Sequence, residues 1–224
     1  MNALLYCHSG GGKTVQATRI PAPNRGRNCL LCTDNSHVVL MQPQFCRENL
    51  DIVVVEHWLK TDKGGNPQPH FSEQFSAAVD SKKYDNIIVD NLSDLFDLSI
   101  LEAEERELIK DGRQIYQASY QAIKRLTRRA GQLDCNVIFT AWAEQYETTT
   151  ASGERVPCII PKLPGKIMEN VLGLCNIVGY VASAEKDGKR QWYYITEDRP
   201  NMRGKNQLTG AKTVLPEKLW EVTK

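Results

Sequence analysis

Near its start the chain reads Ala3-Leu4-Leu5-Tyr6-Cys7-His8-Ser9-Gly10-Gly11-Gly12-Lys13-Thr14: a short apolar segment, a glycine-rich turn, then Gly-Lys-Thr. From Val15 onward the sequence is compatible with a helix. Strand, glycine turn and a helix opening on Lys-Thr is the context in which a loop wraps a phosphate. Glycines let the backbone close on the anion, and successive N–H groups point inward at it. His8, Ser9, Gly10, Gly11, Gly12, Lys13, Thr14 and Val15 are therefore the candidate phosphate-binding set. Lys13 is placed to reach β- and γ-phosphates, and the Thr14 hydroxyl to take one position on a magnesium ion. The full pattern has glycine where this chain has Cys7. A side chain is tolerable there, at the end of a strand.

A second motif is Tyr84-Asp85-Asn86-Ile87-Ile88-Val89-Asp90-Asn91, an apolar strand that ends on an aspartate. Asp90 is expected at the carboxyl end of a parallel strand beside the phosphate loop, holding the same metal as Thr14. Ligands of such sheets bind outside the carboxyl ends of the strands, which puts both motifs on one rim.

The elements that must position these residues are legible as short apolar runs at 3–7, 29–33, 52–55, 87–89 and 137–141. Each has the length of a strand buried on both faces. Between the last two, from Leu95 to Leu133, apolar residues recur at helical spacing. Ile115, Ile123 and Leu126, with Tyr116, Ala118, Ala122 and Ala130, are expected to form a buried stripe. Strands alternating with helices imply parallel pairing in a layered α/β sheet. In the last third, 177–181 and 191–196 flank Glu185-Lys186-Asp187-Gly188-Lys189, and Asp-Gly is a strong hairpin signal. A C-terminal antiparallel extension of the sheet is expected. Asp62–Pro69 and Thr148–Pro164 read as surface loops.

Composition bounds the rest. The chain has 224 residues, 28 basic and 27 acidic, with 41% hydrophobic side chains. That suits one α/β domain over 1–224 and excludes low-complexity disorder. No stretch approaches the apolar length of a membrane span, and the N-terminus has no secretory pattern, so a cytoplasmic, membrane-free setting is expected. Seven cysteines, an odd number, fit reduced thiols. Cys29-Leu30-Leu31-Cys32 has zinc-ligand spacing, but no second pair or spaced histidine pair completes it. The segment also reads as a buried strand whose thiols act as small hydrophobes.

On the phosphate loop and the Asp90 strand, the chain resembles the RecA-like P-loop ATPases. Among them it looks most like the small phage-encoded members, single-strand annealing or recombinase-like AAA-type proteins. The resemblance implies a RecA-like P-loop core with a mostly parallel central sheet flanked by helices. It also implies Mg²⁺-dependent ATP hydrolysis stimulated by single-stranded DNA, and assembly into a homo-oligomeric ring or filament. A single-stranded-DNA-binding protein is the implied partner, and the bacterial host cytoplasm the implied location. Such proteins carry a catalytic acid after the second core strand, where this chain has Asp34; capping the next turn is an equal role for it. They carry a polar sensor after a later core strand, where Thr140 and Gln145 both match in outline and Trp142 reads as packing. They also carry a basic group that contacts nucleotide on a neighbouring subunit. Arg199, Arg203 and Lys205 fall in the matching region, where a solvated basic loop is the alternative.

Two further functions share the same loop. A small-molecule kinase needs an arginine-rich lid over the phosphates, and none stands out between the loop and Asp90. A nucleotide-gated assembly or packaging factor with little hydrolysis is kept open by Cys7 and Asp34. The near-neutral charge conceals segregation: Lys13, Arg19, Arg25 and Arg27 precede any acid. Lys124, Arg125, Arg128 and Arg129 cluster at one helix end, and 199–216 is free of acids. A local nucleic-acid track is compatible with that pattern. The middle cluster also complements a helix dipole.

Overall fold

The computed structural model describes residues 1–105, 111–149 and 153–221. Parts of the expected helical stretch, at 106–110, and of the expected loop, at 150–152, lie outside the described residues. The apolar runs form β1 (Asn2–Cys7), β2 (Asn28–Cys32), β3 (Leu50–Val54), β4 (Asn86–Asp90) and the first part of β5 (Asn136–Thr149). They pair in parallel, in the spatial order β1-β5-β4-β2-β3. Four of them lack an alternating polar pattern because both faces are covered. On one face Leu4, Tyr6, Cys29, Leu31, Ile87, Val89, Val137 and Phe139 pack under α2 (Phe71–Asp80), α3 (Leu92–Glu105), α4 (Gly112–Ala130) and α5 (Gly165–Leu174). On the other, Leu5, Cys7, Leu30, Cys32, Ile88 and Ile138 pack against the short α1 (Lys13–Ala17) and a 3₁₀ turn over Asn35–Met41. The edge strand β3 is the exception, with Ile52 and Val54 exposed.

Cys29 and Cys32 are three residues apart on a strand and point to opposite faces, one into each cluster. They cannot share a zinc ion.

The chain then turns antiparallel. β6 (Arg155–Pro161) pairs with the outer half of β5. β7 (Ile177–Lys186) returns parallel to β1, and β8 (Lys189–Ile195) folds back on β7. Short β9 (Lys205–Asn206) and β10 (Thr213–Val214) pair with β7 and β8. The expected hairpin is present: Asp187 and Gly188 both have positive φ, the two-residue turn that matches strand twist.

Two expectations are corrected. Among its described residues Thr148–Pro164 is mostly strand: 148–149 end β5 and 155–161 form β6, in which Cys158 and Ile160 are buried and Pro157 faces solvent. Pro157 and Pro161 mask the alternation, yet proline is tolerated on an edge strand. The buried stripe of α4 is Ile115, Ser119, Ile123, Leu126, Thr127 and Ala130, while Tyr116 and Ala118 are exposed. A strict four-residue step excludes those two, and Tyr116 instead meets Phe96 edge-on. Among the described residues no helix is long and apolar enough to cross a membrane.

Candidate active site

Strand register builds the site. Cys7 pairs with Trp142, Leu5 with Thr140, Val89 with Phe139 and Cys32 with Asp90, so β2 and β4 end beside Thr140 and β1 ends two residues further along the same rim. β5 lies between the phosphate-loop strand β1 and the Asp90 strand β4.

From Cys7 the chain enters the glycine turn, where Gly10 and Gly12 have φ of 74° and 82°. These are left-handed conformations that favour glycine. Gly11 is required for space: a Cβ there would lie 2.7 Å from Cys7 Sγ and 2.9 Å from the His8 carbonyl oxygen. Cys7 thus occupies the volume that a side chain at 11 would need. Burial pushes its thiol up, against the nearby Lys13 charge and the Lys13 backbone N–H, so it is a neutral packing group.

Ser9, Gly10, Gly12, Lys13, Thr14 and Val15 line a cavity of about 390 Å³, which Asp34, Asn35, Ser36, Val39 and Trp142 close from the other side. His8 is exposed and lies edge-on to Tyr180, outside that lining. Lys13 is only 6% exposed. Among the described residues its ammonium has neither an ion pair nor a hydrogen bond. Only the stem is packed; the ammonium is not among the buried polar atoms that lack a partner, so it opens into the cavity as a positive charge suited to an anion.

Asp90, fully buried, is the hub opposite. Its Oδ2 accepts from the Thr14 hydroxyl at 2.6 Å and the Ser36 hydroxyl at 2.7 Å, and its Oδ1 accepts from Thr140 Oγ1. Asp34 faces the same cavity. Its Oδ1 accepts from the Ser36 backbone N–H at 2.8 Å, capping the 3₁₀ turn, and its Oδ2 from Asn91 Nδ2 at 2.7 Å. Of the two roles expected of Asp34, the cap is present, and the same side chain lines the cavity. Asp34, Asp90 and Cys32 offer ligand atoms within 4.8 Å of one another. Burial raises the Cys32 thiol to about 11, and it donates to the Asp34 carbonyl at 2.9 Å, so sulfur is not the ligand. What remains is a hard-oxygen set, the Thr14 and Ser36 hydroxyls with two carboxylates, which fits magnesium.

Thr140 is at the rim, on Asp90. Gln145 is not: it lies exposed on β5, opposite Ile159 of β6. Arg199, Arg203 and Lys205 also lie outside the cavity lining. Arg199 pairs with Glu197 at 2.9 Å, and Arg203 is loosely held, 3.8 Å from both Glu169 and Asp198. Lys205 donates to the carbonyls of Leu172 and Gly173 at the end of α5, a structural cap. Ser36 and Asn91 escaped sequence reading. Their only signal is adjacency to Asp34 and Asp90, and their role appears through space.

The profile of a family described as an AAA domain matches residues 1–208. The chain belongs to that family. No curated protein sequence matches it. Among solved structures, this AAA-domain chain is similar to the flagellar accessory protein FlaH from Methanocaldococcus jannaschii. The identity is 11%, over 95% of this chain and 82% of that one, with a TM-score of 0.45. It is also similar to a KaiC-like protein from Pyrococcus horikoshii OT3, at 13% identity over 96% and 88% of the two chains, TM-score 0.48. For this AAA-domain chain the phosphate loop and the Asp90 strand meet at one rim, as a P-loop ATPase fold requires.

Proposed function

We propose that the chain binds ATP with Mg²⁺ in the 390 Å³ cavity, hydrolyses it, and acts on single-stranded DNA in strand annealing or recombination as a homo-oligomer. The observation that carries the nucleotide reading is Lys13, whose stem is packed and whose ammonium, without a counter-ion among the described residues, opens into a glycine-lined cavity. Bound there, magnesium would offset phosphate charge and polarise the transferred group. The chain's own residues do the rest. Lys13 and the turn's N–H groups bind the phosphates, while Thr14, Asp90 and Ser36 hold the metal position. Asn91 and Ser36 orient Asp34 towards attacking water.

The DNA part of the reading rests on charge placement. Arg125, Arg128 and Arg129 are exposed at the end of α4, where Arg129 lies over the Phe75 ring and Lys124 over Tyr120. Arg203, held by two ion pairs of 3.8 Å, would exchange them for a neighbouring subunit's nucleotide. A phage origin and a single-stranded-DNA-binding partner belong to this reading.

The second reading, a nucleotide-gated assembly factor with little turnover, is favoured by Asp34 alone, since both its oxygens already accept hydrogen bonds. One experiment separates the two. ATP hydrolysis is measured with and without single-stranded DNA on wild type and Lys13→Ala, with assembly followed by sedimentation. DNA-stimulated turnover that Lys13→Ala abolishes is the expected result. ATP binding without turnover supports the second reading, and turnover unaffected by Lys13→Ala refutes both.

A further inference from the structure

Trp192, on β8, has no place in the phosphate chemistry, yet it touches the phosphate loop. A Cβ on Gly12 would lie 2.7 Å from its Cη2 and 2.9 Å from its Cζ3. The indole thus occupies the space of a side chain at the last residue of the glycine turn. The ring is half-buried and packs against the core cluster that includes Leu5, Val15 and Ile138. Among the described residues its Nε1 makes no hydrogen bond. The Arg190 guanidinium, two residues back on the same strand face, lies 5.9 Å from the ring centroid. Neither side chain is part of the cavity lining, but the ring abuts Gly12, which is, so a flat apolar ring and a cation stand together beside the anion cavity.

A nucleoside triphosphate with its terminal phosphates at Lys13 and Thr14 needs an apolar surface for its nucleoside near the start of α1, and of the lining residues there Val15 is apolar. We infer that Trp192 is the nucleobase platform of this site: the base packs against the indole, with Arg190 alongside the polyanion. The inference rests on the nucleotide reading above and adds the residue that separates a nucleotide from a bare polyphosphate. A base on an aromatic ring is sequence-tolerant and contributes through area and π contact.

The test compares two ligands by calorimetry, ATP and inorganic tripolyphosphate, on wild type, Trp192→Ala and Trp192→Phe, with melting curves as the folding control. Trp192→Ala is expected to weaken ATP binding roughly tenfold and leave tripolyphosphate binding unchanged. Trp192→Phe, which keeps a ring, should stay within about threefold of wild type for ATP. Equal losses for both ligands would mean that Trp192 only braces Gly12, and no loss for either would place it outside the site; both overturn the inference. A wild-type protein that binds neither ligand overturns the nucleotide reading itself.

Discussion

Thr14 Oγ1 donates to Asp90 Oδ2 at 2.6 Å across 76 residues of chain. Neither side chain reaches the other along a single element. Thr14 opens α1, Asp90 ends β4, and β5 lies between β1 and β4. The two hydrogen-bonded oxygens are those that magnesium would take in the proposed site, and the protein alone holds them together. Thr140, from the intervening strand, fixes the other carboxylate oxygen.

The uncompensated charge of Lys13 has a consequence for stability. Lys13→Met keeps the packed stem and removes an ammonium that opens into the cavity, so ligand-free protein should melt close to the wild-type temperature. Adding ATP at about a hundred times its Kd should stabilise wild type by about 2.7 kcal/mol and leave the variant unmoved. Scanning calorimetry with and without ATP checks both halves.

Thr140 and Gln145 both fit a polar sensor by sequence, and their positions differ sharply. Thr140→Val removes a hydroxyl donated to buried Asp90 and should lower turnover about tenfold with nucleotide binding retained. Gln145→Ala, on the exposed β5–β6 hairpin, should stay within about twofold of wild type. Steady-state hydrolysis and equilibrium binding on the two variants decide this.

Cys7 and Gly11 are expected to trade volume. Gly11→Ala forces its Cβ to 2.7 Å from Cys7 Sγ and should cost about 1–3 kcal/mol. Cys7→Gly in the same chain should restore part of that, because the His8 carbonyl contact at 2.9 Å remains. A denaturant-unfolding double-mutant cycle would show the coupling, and additive losses would contradict it.

Alkaline stability follows from buried thiols. Burial raises Cys29 and Cys175 to about 12 and Cys32 to about 11, from an ordinary value of 9.0. Above pH 9 the unfolded chain loses protons that the folded chain keeps. Stability is therefore fully present below that pH and falls as pH rises towards the folded values. Urea midpoints should drop between pH 8 and pH 10, and Cys175→Ala should flatten the slope.

The linear sequence determines the local parts of this protein. Glycines at 10 and 12 meet the left-handed backbone of the phosphate turn, and Asp187-Gly188 meets that of the hairpin. Doubly buried strands need continuous apolar runs, so β1, β2, β4 and β5 could be read from composition alone. Where local cues conflicted, reading faltered: two prolines concealed β6, and the helical repeat placed Tyr116 and Ala118 in a stripe they flank.

Only the tertiary structure decided which side chains meet. Cys29 and Cys32 look like a pair by spacing, and strand pleat separates them. Thr140 and Gln145 look equivalent, and the register of β5 against β4 puts only Thr140 on Asp90. Ser36 and Asn91 hold Asp90 and Asp34 from a turn and a strand end, and Trp192 meets Gly12 from a hairpin distant in sequence. Backbone conformation and burial pattern are encoded residue by residue, whereas strand order and register arise from packing the whole sheet.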